Sequence, residues 1–168
     1  MLEWMHDPDS QRGFKKNMMG ASLEDAKDFC IRSKHPDTIK AGDSLHFAIV
    51  DDNDEYLGTA SLKDIDFENG RGEYSVTLRR KAQSKGVASA ATGLILQKAF
   101  RELGLHRVFS SLYADNVHSK NLVERCGFTC EGEFREHFRI DGEYVNWKWY
   151  GILDTEFDES RFEVFGNK

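Results

Sequence analysis

Proline and cysteine are both scarce, with two prolines and three cysteines in 168 residues. So few prolines exclude a proline-rich linker or a polyproline segment. An odd, small number of cysteines argues against a disulfide framework. Cys126 and Cys130 stand four apart with no CxxC and no second ligand pair, so no metal site is expected. No apolar run approaches the roughly 20 residues that cross a bilayer, and no signal peptide opens the chain. Basic charge is short as well: 23 Lys and Arg face 29 Asp and Glu, a net charge of −6. Binding to nucleic acid needs a basic face that displaces counterions. Neither nucleic acid nor a membrane is therefore an expected partner, and a reducing cytoplasm with free thiols is the expected location.

What remains is an ordinary globular composition, with 39% hydrophobic and 31% charged residues. The length suits one domain with its own core. An acidic surface suits a cationic partner, such as an amine or a basic peptide, and equally serves solubility alone.

The chain shows no internal repeat. After a polar N-terminal stretch with a break at Asp7-Pro8, Ser22-Leu-Glu-Asp25 reads as a helix start with a hydroxyl cap. Leu23, Ala26, Phe29 and Cys30 share that helix's apolar face. Leu45 to Val50 and Tyr56 to Leu62 read as strands joined by the polar turn 51–55, and Glu73 to Leu78 as a third. Val87, Ala91, Leu94, Ile95 and Ala99 form one helical stripe, which Gly104 ends. Arg107 to Leu112 is a strand, and Val117 to Cys126 a short helix closed by Gly127. Two closing strands, about Thr129 to Ile140 and Glu143 to Ile152, flank Asp141-Gly142, a strong hairpin signal. This order predicts an α/β (α+β) fold, with a mixed sheet carrying helices. Residues 1–153 read as a single domain and 154–168 as a polar, loose tail.

The segment Gln83-Ser-Lys-Gly-Val-Ala-Ser89 lies between a strand and a helix. A turn of this kind leaves backbone N–H groups unpaired at the positive end of the helix dipole, where a pyrophosphate fits. Gly86 and Ala88 permit close approach, and Lys85 adds a charge. Neither a Walker A loop nor the GxGxxG fingerprint is present. On composition alone, the loop is equally a small-residue helix start packed on a sheet.

Gln83-x-x-Gly86-x-Ala88 resembles the Gln/Arg-x-x-Gly-x-Gly/Ala loop of the Gcn5-related N-acetyltransferases (GNAT). Glu73-Tyr-Ser-Val-Thr-Leu78 is similar to that family's fourth strand. Tyr113-Ala-Asp-Asn-Val-His-Ser119, running to Glu124-Arg-Cys-Gly-Phe128, is similar to its segment before the Gly-Phe pair. Gly132-Glu-Phe-Arg-Glu136, Asp141-Gly-Glu-Tyr-Val145 and Leu2-Glu-Trp with Asp7-Pro8 resemble the branch containing ribosomal-protein N-terminal and amino-sugar acetyltransferases. The resemblance covers about Leu2 to Leu153.

The resemblance implies a mostly antiparallel sheet splayed between strands four and five, with acetyl-CoA in the gap as acetyl donor and a primary amine as acceptor. It implies that backbone groups of Leu78 and Arg80 hold the pantetheine arm and that the loop, Gln83, Ser84, Lys85, Gly86, Val87, Ala88 and Ser89, binds the pyrophosphate. Asn116 is implied at the pantetheine or thioester region. The Leu78 N–H suits the developing oxyanion.

Glu73 is the first candidate for the base that deprotonates the amine, against a bland reading as a strand-edge carboxylate. His137 is a second, with a hairpin surface imidazole as its bland reading. Many members carry an acid Tyr where Val123 stands here, which leaves the Ser119 hydroxyl as replacement or as a plain helix-start residue. A glutamate base of some relatives falls on Phe138 and is not inherited. Only Met1 precedes Leu2, so the family's first strand has no counterpart. Either the start lies upstream or the strand is lost, leaving a sheet edge that a second copy, in a homodimer, could cover. Trp147 and Trp149 fall on one strand face and Tyr144 and Tyr150 on the other; one pair reads as core, the other as an acceptor pocket or dimer contact. The alternative to an enzyme is a non-catalytic acyl-CoA-binding module or sensor, which the missing tyrosine favours.

Overall fold

The computed structural model of the chain describes residues 1–7, 18–33 and 36–162. Pro8 of the expected break and the last part of the expected tail, 163–168, lie outside them. Among the described residues the first helices are α1 (Leu2–Met5) and α2 (Leu23–Arg32). Ser22 starts α2 as expected: its Oγ accepts from the Asp25 N–H at 3.1 Å, and the Asp25 carboxylate accepts from the Ser22 N–H at 2.8 Å. The predicted apolar face holds only in part. Ala26 is buried and Phe29 meets the His46 ring at 5.0 Å, whereas Leu23 and Cys30 are exposed.

Three strands then form an antiparallel meander: β1 (Leu45–Val50), β2 (Tyr56–Asp66) and β3 (Arg71–Leu78). The β2–β3 register shifts between Lys63 and Asp66. Next come α3 (Val87–Gln97), a π-helical turn at Lys98–Glu102, β4 (Arg107–Tyr113), α4 (Val117–Arg125), β5 (Thr129–Ile140) and β6 (Glu143–Leu153). Asp141 and Gly142 both adopt positive φ, 50° and 91°, as a tight turn of this class demands.

The sheet order is β1-β2-β3-β4-β6-β5, and β3–β4 is its one parallel pair. This is the mixed, mostly antiparallel sheet that was expected. The strands that the resemblance numbers four and five are β3 and β4, since no strand precedes β1 among the described residues. Leu62, Tyr74, Leu96, Val108, Tyr150 and Ile152 are almost fully enclosed and form the core under α3 and α4. Burial at this scale, roughly 1.5–3 kcal/mol per large apolar side chain, is what holds the helices to that face.

The polar segment after Leu153 contributes to the core as well. Phe157 is buried against Phe100 at 5.4 Å, and the Phe162 ring lies where a Cβ on Gly93 would stand. Leu94, predicted on the buried stripe, is 67% exposed. No helix among the described residues is long and apolar enough to cross a membrane.

Candidate active site

β3 and β4 pair over three residues only: Arg71 with Arg107, Gly72 with Val108 and Glu73 with Phe109. Beyond Glu73 the two strands part, and the sheet opens into a V. The Arg79 N–H donates to the Leu57 carbonyl on β2 at 2.8 Å. Strand alternation therefore turns the N–H and C=O of Leu78 and Val76 the other way, into the gap. Arg80 differs. It begins a 3-10 turn, and its carbonyl accepts from the Gln83 N–H at 3.2 Å.

The loop after this turn bends through two left-handed residues, Ser84 (φ 59°) and Gly86 (φ 80°), and delivers the chain into α3 at Val87. No side chain caps α3. Its first-turn N–H groups, those of Val87, Ala88 and Ser89, thus keep their donor capacity at the positive end of the dipole. The Gln83 amide donates back to the Leu78 carbonyl at 3.4 Å, closing the loop onto β3. The Ser89 hydroxyl lies inward with Thr92, hydrogen-bonded to the Cys126 thiol, which burial pushes up from its ordinary value. Only the Ser89 main chain is left for a ligand.

Charge around the loop is mostly spent. The Arg79 guanidinium is held by Glu3, Glu55 and the Tyr56 carbonyl, and Lys81 pairs with Glu55. Bonds from Lys81 and Arg79 keep the Glu55 carboxyl below its usual value. Lys85, by contrast, is exposed and makes no ion pair among the described residues.

At the vertex, Glu73 is not a strand-edge carboxylate. It sits on a central strand with its side chain 15% exposed, Lys63 Nζ at 3.4 Å and the Ser111 Oγ donating to it at 3.3 Å. Sequence reading missed both partners. Lys63 faces Glu73 in the β2–β3 register, which the connecting turn does not fix because the register slips between Lys63 and Asp66. Across the gap, Asn116 caps α4, its side-chain oxygen accepting from the Ser119 N–H at 3.0 Å. That bond fixes the helix just after β4 and leaves the half-buried Ser119 hydroxyl without a partner among the described residues. Val123, in the acid tyrosine's place, is 2% exposed and belongs to the core.

The aromatic residues sort differently from the expectation. One member of each pair, Trp147 and Tyr150, is buried, while Tyr144 is 63% exposed. Tyr150 donates to Glu124 at 3.1 Å. Trp149 stacks on Phe109 at 5.1 Å, and Trp147 closes against Tyr113 and Phe138 at 4.8 and 4.9 Å. The His137 ring lies on the exposed hairpin against Phe134 and Phe138. An apolar cleft of about 750 Å³, lined by Phe47, Ile49, Leu57, Val87 and Leu94, runs between the β1–β2 hairpin and α3 and touches Lys85 and Gly86. Among the described residues no group of three or more His, Cys, Asp or Glu could hold a metal ion.

A family model described as the acetyltransferase (GNAT) domain matches residues 1–129. The chain is 31% identical over 109 residues to an uncharacterized N-acetyltransferase of Bacillus licheniformis, covering 65% of this chain and 61% of that protein. It is 28% identical over 111 residues to the spermidine N(1)-acetyltransferase of Vibrio cholerae serotype O1, covering 66% and 64%. The match thus spans under two thirds of these curated relatives' length. Among solved structures, the Vibrio cholerae spermidine N-acetyltransferase in complex with CoA and spermine shares the fold, with a TM-score of 0.71 at 24% identity over 82% of this chain and 79% of that one.

Proposed function

Because the chain belongs to the acetyltransferase (GNAT) domain family, we propose that it transfers the acetyl group of acetyl-CoA to a primary amine. The carrying observation is the opened β3–β4 pair with an uncapped helix at its rim. The free edge at Val76 and Leu78 offers main-chain groups to an extended pantetheine arm, as a neighbouring strand would. The main chain from Ser84 to Ser89, with Lys85, suits the pyrophosphate. Gln83 ties the loop to β3 and Asn116 caps α4, and each side-chain amide keeps an N–H to offer the cofactor.

In this reading Glu73 accepts the proton of the incoming ammonium, directly or through a water. The freed nitrogen lone pair forms the new bond to the acetyl carbon. The Leu78 N–H stabilises the oxyanion that develops there. As the carbon–sulfur bond breaks, Ser119 delivers a proton to the leaving thiolate and is reprotonated by the second proton that the attacking nitrogen sheds on becoming an amide. His137 is the weaker candidate for base, since it lies exposed on the closing hairpin.

For the acceptor we favour a cationic aliphatic amine. A net charge of −6 draws cations, and a relative is named for spermidine. We place the protein in the cytoplasm, where Cys30, Cys126 and Cys130 stay free thiols. Isothermal titration with acetyl-CoA, followed by a thiol-release assay across an amine panel, tests the function. Absence of binding overturns it. Tight binding without turnover on any amine would instead select a non-catalytic acyl-CoA module, the reading that Val123 in the acid's place favours.

A further inference from the structure

The two faces of the β4–β6–β5 half of the sheet are treated very differently. One is closed under α3 and α4, with Val108, Tyr150 and Ile152 almost wholly enclosed. The other carries Arg107, Phe109 and Ser111 of β4 by alternation, and it is the face on which Ser111 reaches Glu73. The register brings Trp149 opposite Ser111 and Gly151 opposite Phe109. Phe109 and Trp149 stack there with ring planes 22° apart.

One of two glycines beside this stack leaves its flank open, and the other lies under an ion pair. Gly132 is the β5 partner of Trp149, and a Cβ built on it meets nothing within 4 Å. Gly151 lies beneath the Arg107–Glu131 ion pair, so that a Cβ there would meet Glu131 Oε1 at 2.5 Å and Arg107 Nη1 at 2.8 Å. That pair closes one end of the ledge. Phe134, 49% exposed, stands at the other side with its ring edge-on to Trp149 at 6.5 Å. The result is an aromatic floor with a carboxylate at the vertex beside it. The negative faces of such rings attract alkylammonium groups.

We propose that the ledge formed by Phe109, Trp149 and Phe134 binds the distal cation of a linear di- or polyamine acceptor whose reacting amine lies at Glu73. The inference rests on the acetyl-transfer reading. Glu73 and Trp149 are two strands apart, so the two cationic centres sit roughly 10 Å from one another at about 4.8 Å per strand spacing. Continuity with the vertex carboxylate and the acidic charge of the chain select a cation as the occupant.

Linear diamines of increasing length and matched monoamines test the proposal through KM and kcat, together with indole fluorescence titrations of the amine in the absence of acetyl-CoA. Longer diamines should have the lowest KM. Phe134→Ala, at an exposed position, should raise their KM roughly 3- to 30-fold, the range of a lost cation–π contact, and leave monoamines as they were. Trp149→Phe should remove the fluorescence response to diamine, and Gly132→Leu, which fills the open flank, should raise KM in the same selective way.

The ledge is overturned if transfer is intact but no variant changes diamine KM, or if monoamines suffer equally. It is also overturned if wild type is a dimer that Phe134→Ala makes monomeric, since the floor would then contact a second copy. A fluorescence response without transfer to any amine leaves the ledge standing and defeats the transfer reading.

Discussion

Tyr74 and Thr92 join their hydroxyls at 2.6 Å in the enclosed layer between β3 and α3. Thr92 donates onward to the Ala88 carbonyl in the first turn of α3, also at 2.6 Å, so the phenol is the donor to Thr92. Burial pushes the Tyr74 phenol far above its ordinary value, and it remains a donor at any neutral pH. The chain of bonds ties the strand that lines the gap to the helix that begins at the loop. Tyr74→Phe should lower unfolding stability by about 0.5–1.5 kcal/mol, the usual net worth of such a bond. Denaturant titration of both proteins measures the difference.

Glu73→Gln keeps the size of the side chain and removes its basicity. With Glu73 as base, kcat/KM should fall roughly 100-fold or more, while the acetyl-CoA dissociation constant stays within error. Ser111→Ala, which removes one of the two contacts on the carboxylate, should give a smaller loss. Steady-state kinetics paired with calorimetry checks both.

Gly86 occupies left-handed space at φ 80° just before α3. A β-branched residue is strongly disfavoured there, and its side chain would stand where the pyrophosphate is proposed to lie. Gly86→Val should abolish detectable acetyl-CoA binding by titration while the far-ultraviolet circular dichroism remains that of a folded protein.

Gly58 on β2 faces Leu78. A Cβ there would lie 2.2 Å from the Thr77 carbonyl oxygen and 2.7 Å from the Leu78 side chain. Main chain cannot yield cheaply, so Gly58→Ala must push β2 off β3 at the lip of the gap. The expected cost is about 1–3 kcal/mol or more, the range for overpacking, read as a lower thermal midpoint.

The Arg107 guanidinium holds the Glu131 carboxyl below its ordinary value. A lowered folded-state pKa stabilises the fold above the unfolded value, near 4.5, and that contribution disappears as pH falls through the folded value. Unfolding stability should therefore decline on acidification below about pH 4.5. Glu131→Gln should flatten that decline and change little at neutral pH beyond the loss of a partly exposed ion pair. Thermal melts across a pH series measure it.

Much of the fold was legible because local chemistry decided it. The Ser22–Asp25 cap, the Asp141-Gly142 turn and the glycines after α3 and α4 are statements about a few adjacent residues. Leu94 was misplaced because periodicity gives a helix its stripe but not the width of the sheet beneath. The stripe runs past the edge at β1, and Leu94 faces the cleft. The loop with Gly86 was legible for the same local reasons as the caps. The surroundings of Glu73 were not, since the β2–β3 register slips between Lys63 and Asp66, and pairing across such a slip depends on the folded strand. The aromatic residues show the same limit. Alternation sorted their faces correctly, but Trp147 is covered by Tyr113 and Phe138 whereas Trp149 borders a glycine. Those neighbours come from other strands.

The brevity of the β3–β4 ladder has a mechanical meaning. Three rungs carry the sheet from one half to the other, so few main-chain bonds join the two lips directly. A ligand that hydrogen-bonds one lip and contacts the other acts as a tie-rod. Its binding energy adds to folding stability by mass action, so bound protein should melt at a higher temperature than free protein.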